Sequence, residues 1–254
     1  MDAKSLHFDK TIKNWDEALP LGNGDLGCLI WNSADKLRFS LDKGGIWDCS
    51  NPPEDGENST YTDIKNLVAN KKQKKIQKKY DDCYSNPTPT KLPAGKLILN
   101  LGTDENIVSN LNLMTAEAEL KVGEITVKSF IHANKNYGLI SVNRHLAGIE
   151  IKNPKYGKVK KLSLKFSSKG TVQSLKNLHY PDCEFFSELD GDTEYRYFVR
   201  PINDGFYGIM TAVKYKDGKT LIAYTVDIGK DRSFVEKCKK NGCRGNLRRI
   251  SKGI

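Results

Sequence analysis

The chain has 254 residues, of which 38% are hydrophobic, and a mean hydropathy of -0.57. That is enough for one large or two small domains with a buried core. No apolar run approaches the roughly 18 residues of a membrane-spanning helix, and the opening "MDAKSLHFDK" lacks a basic-then-apolar leader pattern. These features read as a soluble chain with no membrane partner, cytoplasmic as written, the location of the intact parent being left open. The formal charge is +10, yet residues 226–254 hold nine Lys and Arg against three Asp and Glu. That stretch therefore carries +6 and the remainder only +4. The other dense basic run, "NKKQKKIQKKY" at Asn70–Tyr80, has helical character and few aromatics to stack bases. A solvated helix face is expected there, and no nucleic-acid partner. Six cysteines (Cys28, Cys49, Cys83, Cys183, Cys238 and Cys243) are too sparse for a disulfide scaffold. "CKKNGC" offers two sulfurs where structural zinc takes four ligands. His7, His132, His145 and His179 are far apart, so neither a metal nor a cofactor is expected.

In chain order, the first feature is "ALPLGNGDLGCLIW" at 18–31, where Gly22-Asn23-Gly24-Asp25-Leu26-Gly27 fits G-x-G-x-x-G. Period-two alternation then dominates. "KLRFSL" puts Leu37, Phe39 and Leu41 on one face. Tyr61–Tyr84 breaks the pattern: Ile64, Leu67, Val68 and Ile76 form a helical stripe with lysines opposite. One or two helices are predicted there, packed outside the strands and ended by Pro87 and Pro89. Strand alternation resumes with Leu97, Leu99 and Leu101, then Ile125, Val127 and Ile131, then Leu162, Leu164 and Phe166, then Tyr195, Tyr197 and Val199. Asp217-Gly218, between "YGIMTAVKY" and "TLIAYTVDI", predicts a hairpin with a two-residue type I′ turn, whose central residues both need positive φ. From Asp231, "DRSFVEKCKK" begins like a helix, with Asp231 or Ser233 as its cap, and then gives way to "NGCRGNLRRISKGI". So many strands in series predict a mainly β fold: an antiparallel β-sandwich (a supersandwich) with one or two short helices packed outside. The sandwich domain is assigned to 1–230. Residues 231–254 are read as the start of a linker helix and a basic, disordered or frame-shifted tail.

The glycine pattern is tested by its flanks. A dinucleotide fingerprint needs a buried strand before it and a helix opening at its end. Here Pro20 precedes it and the strand-like "CLIW" follows. No Walker pattern occurs, and the kinase H-R-D and D-F-G motifs are missing. A tight turn feeding a strand is the reading, with Asn23 suited to positive φ. "DGDTEY" at Asp190–Tyr195 resembles the opening of a calcium loop, but Tyr195 stands where that loop needs Gly and Pro201 where it needs Glu.

The blocks together are more specific than any one. "NWDEALPLGNGDLGCLIW", then "LRFSLDKGGIWDCSNPP", then "LPAGKLILNLG", then "LNLMTAEAELKVGEITVKSFIHANKNYGLISVN" resemble the N-terminal domain of glycoside hydrolase family 95, the α-L-fucosidase and α-L-galactosidase family. The resemblance runs from about Leu6 to about Val235, with Asn112 in place of the family's Asp. It implies an accessory β-sandwich whose parent inverts at the anomeric carbon, with the acid and base on a following (α/α)6 barrel. None of those catalytic positions has a counterpart in this chain, which is read as truncated before the barrel and inactive alone.

Glycoside hydrolysis needs two carboxylates roughly 5–9 Å apart, and Asp25, Asp42 and Asp48 are the acidic residues nearest the glycine turn and the Trp47 loop. No catalytic residue is assigned among them. The carbohydrate-facing or interdomain candidates are Asn23, Asp42, Trp47 and Asp48, and Gly22, Gly24 and Gly27 are assigned to a structural turn. Trp15 and Trp31, next to apolar strands, are expected as core or interdomain anchors. A free-standing carbohydrate-binding sandwich is the alternative reading, and a basic nucleic-acid-binding protein the third. Loss of a facing domain would expose an apolar surface, so self-association is expected.

Overall fold

A computed structural model describes residues 4–49, 60–80, 90–154, 181–202 and 205–239. The predicted strand at Leu162–Phe166, the prolines ending the helical stretch, Cys83, Cys243, His179 and the tail from residue 240 lie outside the described residues. The chain divides into two compact units. The first comprises Met1–Ile46, Pro93–Pro154 and Asp182–Ile254; the second comprises Trp47–Leu92 and Lys155–Pro181.

The strands of the chain run β1 Ser5–Phe8, β2 Leu19–Gly22, β3 Leu26–Ser33, β4 Lys36–Lys43 and β5 Trp47–Asp48. Then come β6 Thr90–Lys91, β7 Gly95–Asn100, β8 Val108–Asn112, β9 Glu117–Val122, β10 Ile125–Ile131 and β11 Gly138–Val142. The last five are β12 Ile149–Lys152, β13 Glu184–Asp190, β14 Thr193–Ile202, β15 Gly205–Lys216 and β16 Lys219–Gly229. In the first unit a nine-stranded sheet has the order β1-β8-β9-β10-β11-β16-β15-β14-β13 and a five-stranded sheet the order β12-β7-β4-β3-β2. Every pairing is antiparallel. The sheets face each other, with Phe39 on β4 and Tyr224 on β16 in ring contact at 6.4 Å. This is the antiparallel β-sandwich that the alternation predicts.

Leu37, Phe39, Leu41, Leu97 and Leu99 supply the small sheet's inner face, and all are at most 2% exposed. Val127, Ile140, Ile209, Ile222 and Tyr224 oppose them from the large sheet. The predicted stripe Tyr195, Tyr197 and Val199 is also buried, but on the opposite side of the nine-stranded sheet. There it joins Leu139, Met210, Ala212 and Ala223 beneath the short helix α3, Phe234–Cys238 (α1 and α2 belong to the second unit), through Phe234, Val235 and Cys238. The middle strands are therefore buried on both faces, which is why β15 and β16 read as continuous apolar runs. The side chain of Asp231 accepts from Ser233 N at 2.8 Å just before α3.

The Asp217-Gly218 hairpin forms as predicted, with φ of 50° and 73° and Lys216 opposite Lys219. Of the two tryptophans expected as core or interdomain anchors, neither Trp15 nor Trp31 is a core residue. Trp15 sits on a single 3-10 turn and is 64% exposed. Trp31 alternates outward from Ile30, donates to Ser40 Oγ at 3.0 Å and lies under Arg38 and Lys96. In the second unit, α1 (Tyr61–Ala69) is opened by a Thr60–Asp63 capping box. Lys71, at φ 53°, separates it from α2 (Gln73–Tyr80). Among the described residues of this unit, β5 and β6 pair as Trp47↔Lys91 and Asp48↔Thr90.

Gly138 lies directly beneath Tyr224 in the sheet register, and a Cβ there would fall inside the tyrosine ring. Gly138→Ala is expected to cost about 2–3 kcal/mol by overpacking, measured by urea denaturation. Gly27→Ala, which meets open space, is expected to stay within about 0.5 kcal/mol of the parent. Equal effects from the two would contradict this packing.

Candidate functional site

The glycine-rich turn joins β2 to β3 through Asn23, Gly24 and Asp25, with Gly22 opposite Gly27 as the last pair of the ladder. Gly24, at φ 92°, takes the left-handed conformation. Asn23 does not, which corrects the expected reason for an asparagine there. Its side chain acts instead. Oδ1 accepts from Asp25 N at 3.0 Å and Leu26 N at 2.8 Å, closing the turn on itself. Nδ2 donates to His132 O at 3.0 Å and to Lys135 O at 3.1 Å in the turn between β10 and β11. Asn23 N itself donates to Leu26 O. Three backbone N–H groups of the turn are thus bonded within it, and a strand follows where a phosphate loop would open a helix.

Asp25 stands at the centre of a second set of bonds. Its Oδ2 receives Lys43 Nζ at 2.5 Å and the side-chain amide of Asn136, and its backbone carbonyl accepts from Gly44 N at 2.8 Å. The Lys43 side chain is only 8% exposed. Its bond holds the Asp25 carboxyl below the usual range against the opposing effect of burial, and the Lys43 charge and Asn136 add to this. Lys43 and Asn136 went unnoticed in the sequence. A signal existed for Lys43: it continues the inward stripe of Leu37, Phe39 and Leu41, where a lysine needs a partner. Asp42, one residue earlier, is exposed, lies on the other face of β4 and accepts from Lys43 N at 2.8 Å.

Trp47 and Asp48 lie on β5 in the second unit; Trp47 is 50% exposed and Asp48 is 5% exposed. Among the described residues, no three His, Cys, Asp or Glu side chains gather as a metal site. Asp25, Glu119, Glu150, Glu188, Asp192 and Glu194 are held below the usual carboxylate range by bonds to Lys or Arg, and Asp63 and Asp231 by bonds to Thr60 and Ser233. A general acid in glycoside hydrolysis needs the opposite shift.

The family described as glycosyl hydrolase family 65, N-terminal domain, matches residues 6–173. The chain belongs to this family. No curated protein matches the sequence. As a glycosyl hydrolase family 65-type N-terminal domain, it places the glycine turn, the Lys43 position and the β10–β11 turn inside the matched stretch, whereas β13 to β16 and α3 lie beyond it.

Asp25→Asn would leave the Lys43 ammonium buried without its counter-charge. Solvent screens the half-exposed Asp25 side, so the expected loss is about 1–2 kcal/mol at neutral pH. Because the folded-state pKa of Asp25 is depressed, its stabilisation is present above the unfolded value of about 4 and is lost as pH falls through the folded value. The difference between parent and variant, followed by urea denaturation against pH, is therefore expected to shrink in acid. A difference that grows in acid would contradict the pairing.

Proposed function

We propose that this chain is the accessory β-sandwich of a family 95-like glycosidase acting on α-L-fucosides or α-L-galactosides, and that it has no hydrolytic activity alone. The family 65-type match supports an N-terminal domain of a glycoside hydrolase. The order of blocks from Trp15 through "LPAGKLILNLG" supports the family 95 form. The observation that carries the inactivity is electrostatic. Eight described carboxylates are stabilised as anions by cations or hydrogen-bond donors, and among them Asp25 is paired with Lys43. None of these eight is the protonated acid that the reaction requires beside a second carboxylate. Asn23, whose side chain is engaged on both ends, serves the turn, while the exposed Asp42 and Trp47 keep their role as carbohydrate-facing or interdomain groups within this proposal and Asp48, 5% exposed, presents little surface to a sugar. Exposed Trp15, Leu113 and Met114 provide apolar surface for self-association.

The purified chain is expected to release no p-nitrophenol from p-nitrophenyl α-L-fucopyranoside above the uncatalysed rate. In the same preparation, sedimentation velocity is expected to show species larger than the monomer. Robust turnover that disappears in Asp42→Asn would overturn the accessory role, and a single monomeric boundary at all concentrations would remove the self-association.

A further inference from the structure

We propose that a recess between the β10–β11 turn, β16 and α3 binds one pyranose ring of a glycan. The recess holds about 260 Å³, below the roughly 300–1,000 Å³ typical of larger organic ligands and suited to a single sugar ring with its hydroxyls. Its wall is Tyr137, a buried ring backed by His132 at 5.0 Å between centroids. Five polar side chains from three elements reach it: Lys135 and Asn136 from the turn, Thr225 and Asp227 from β16, and Lys237 from α3.

These groups leave hydrogen-bonding capacity facing the recess. Asp227 accepts from Ile228 N at 2.9 Å through Oδ1, and through Oδ2 only from the weak thiol donor of Cys238 at 3.5 Å. A carboxylate has about four acceptor positions, so roughly half of its capacity remains. Thr225 gives its proton to Asn136 O and keeps its oxygen lone pairs. Asn136 gives one side-chain N–H to Asp25, and its other N–H and its Oδ1 have no partner among the described residues. Lys135 and Lys237 are exposed and make no ion pair among the described residues. Acceptors and donors that those bonds leave unused thus line one recess. A vicinal diol complements that arrangement, because each hydroxyl both gives and takes a hydrogen bond. The bonds from Asn136 to Asp25 and from Thr225 to Asn136 fix the lining before any ligand arrives, which lowers the ordering cost of binding.

The choice of fucoside as first probe rests on the glycosidase reading above; the recess does not. The 254-residue chain would be titrated with methyl α-L-fucopyranoside, methyl α-L-galactopyranoside and methyl β-D-glucopyranoside while backbone amide shifts are followed by NMR. Saturable millimolar binding of at least one sugar is expected, with the shifts centred on Lys135–Tyr137, Thr225–Asp227 and Lys237. Asp227→Asn is expected to weaken it about tenfold and Lys237→Ala about two- to fivefold, while Tyr61→Ala, at an exposed aromatic, leaves it unchanged. Should Asp227→Asn fail to fold, Lys237→Ala decides. Binding of the glucoside alone supports the recess and counts against the fucoside reading. No saturable shift with any of the three, shifts lost in Tyr61→Ala, or shifts undiminished in the folded recess variants would overturn the recess. None of those results would restore or remove hydrolytic activity.

Discussion

One asparagine side chain ties the two sheets together at one end of the sandwich. Asn23 lies in the β2–β3 turn of the five-stranded sheet, and the carbonyls it binds, His132 and Lys135, lie in the β10–β11 turn of the nine-stranded sheet. The Asp25–Asn136 bond repeats the link between the same two turns, and Thr225 on β16 holds Asn136 from within the nine-stranded sheet. Hydrophobic contact between sheets is non-directional, so it leaves the sheets free to slide. Directional bonds at a part-buried end fix their alignment. The cost of holding Lys43 nearly buried follows from the same geometry, since Asp25 can reach it only while the turn is closed. The polar recess beside Asn136 inherits its shape from these bonds.

The other side of the nine-stranded sheet depends on a different arrangement. Five residues of α3 bury Phe234, Val235 and Cys238 on the aromatic stripe of β14. A helix this short has no stability of its own. It is held by packing and by charge at both ends: Arg232 makes a forked pair with Glu184, and Lys239 reaches Glu188 at 2.6 Å and Glu236 at 2.9 Å. Burial, and then its bond to Glu188, push Tyr197 up to about 12. Burial opposes the Lys239 charge, but the bonds to Glu188 and Glu236 prevail and raise its pKa. Beneath the inner face, burial likewise pushes the Cys28 thiol up to about 12, which makes it an inert core group.

Local rules made much of this legible in the sequence. The hairpin at Asp217-Gly218 was readable because its turn chemistry is contained in two residues. The stripes on β4, β7 and β10 were readable because one face of each meets the core. What failed was long-range. Nothing near Asn23 announces partners 109 and 112 residues away, so positive φ, a local explanation, looked sufficient. Tyr195, Tyr197 and Val199 show the right period, but period alone does not say which side of a doubly buried strand they face. Trp31 resembles a core residue by type, yet Arg38 and Lys96 cover it from outside. Lys43 was the missed signal, a cation in register with three core residues.

The central claim is that the glycine-rich turn is a structural fastening whose working part is the Asn23 side chain. The most direct measurement compares the unfolding free energies of Asn23→Ala, Asn23→Asp and Asn23→Gly by urea denaturation. Four bonds, two of them part-buried, at about 0.5–1 kcal/mol each predict a loss of roughly 2–4 kcal/mol in Asn23→Ala. Asn23→Asp keeps the acceptors but sets a carboxylate against the His132 and Lys135 carbonyls, so it is expected to be no more stable than Asn23→Ala. Asn23→Gly, which supplies backbone freedom alone, is expected not to recover the loss. If Asn23→Asp or Asn23→Gly were as stable as the parent, the side-chain bridge between the sheets would be contradicted, and backbone conformation alone would account for the turn.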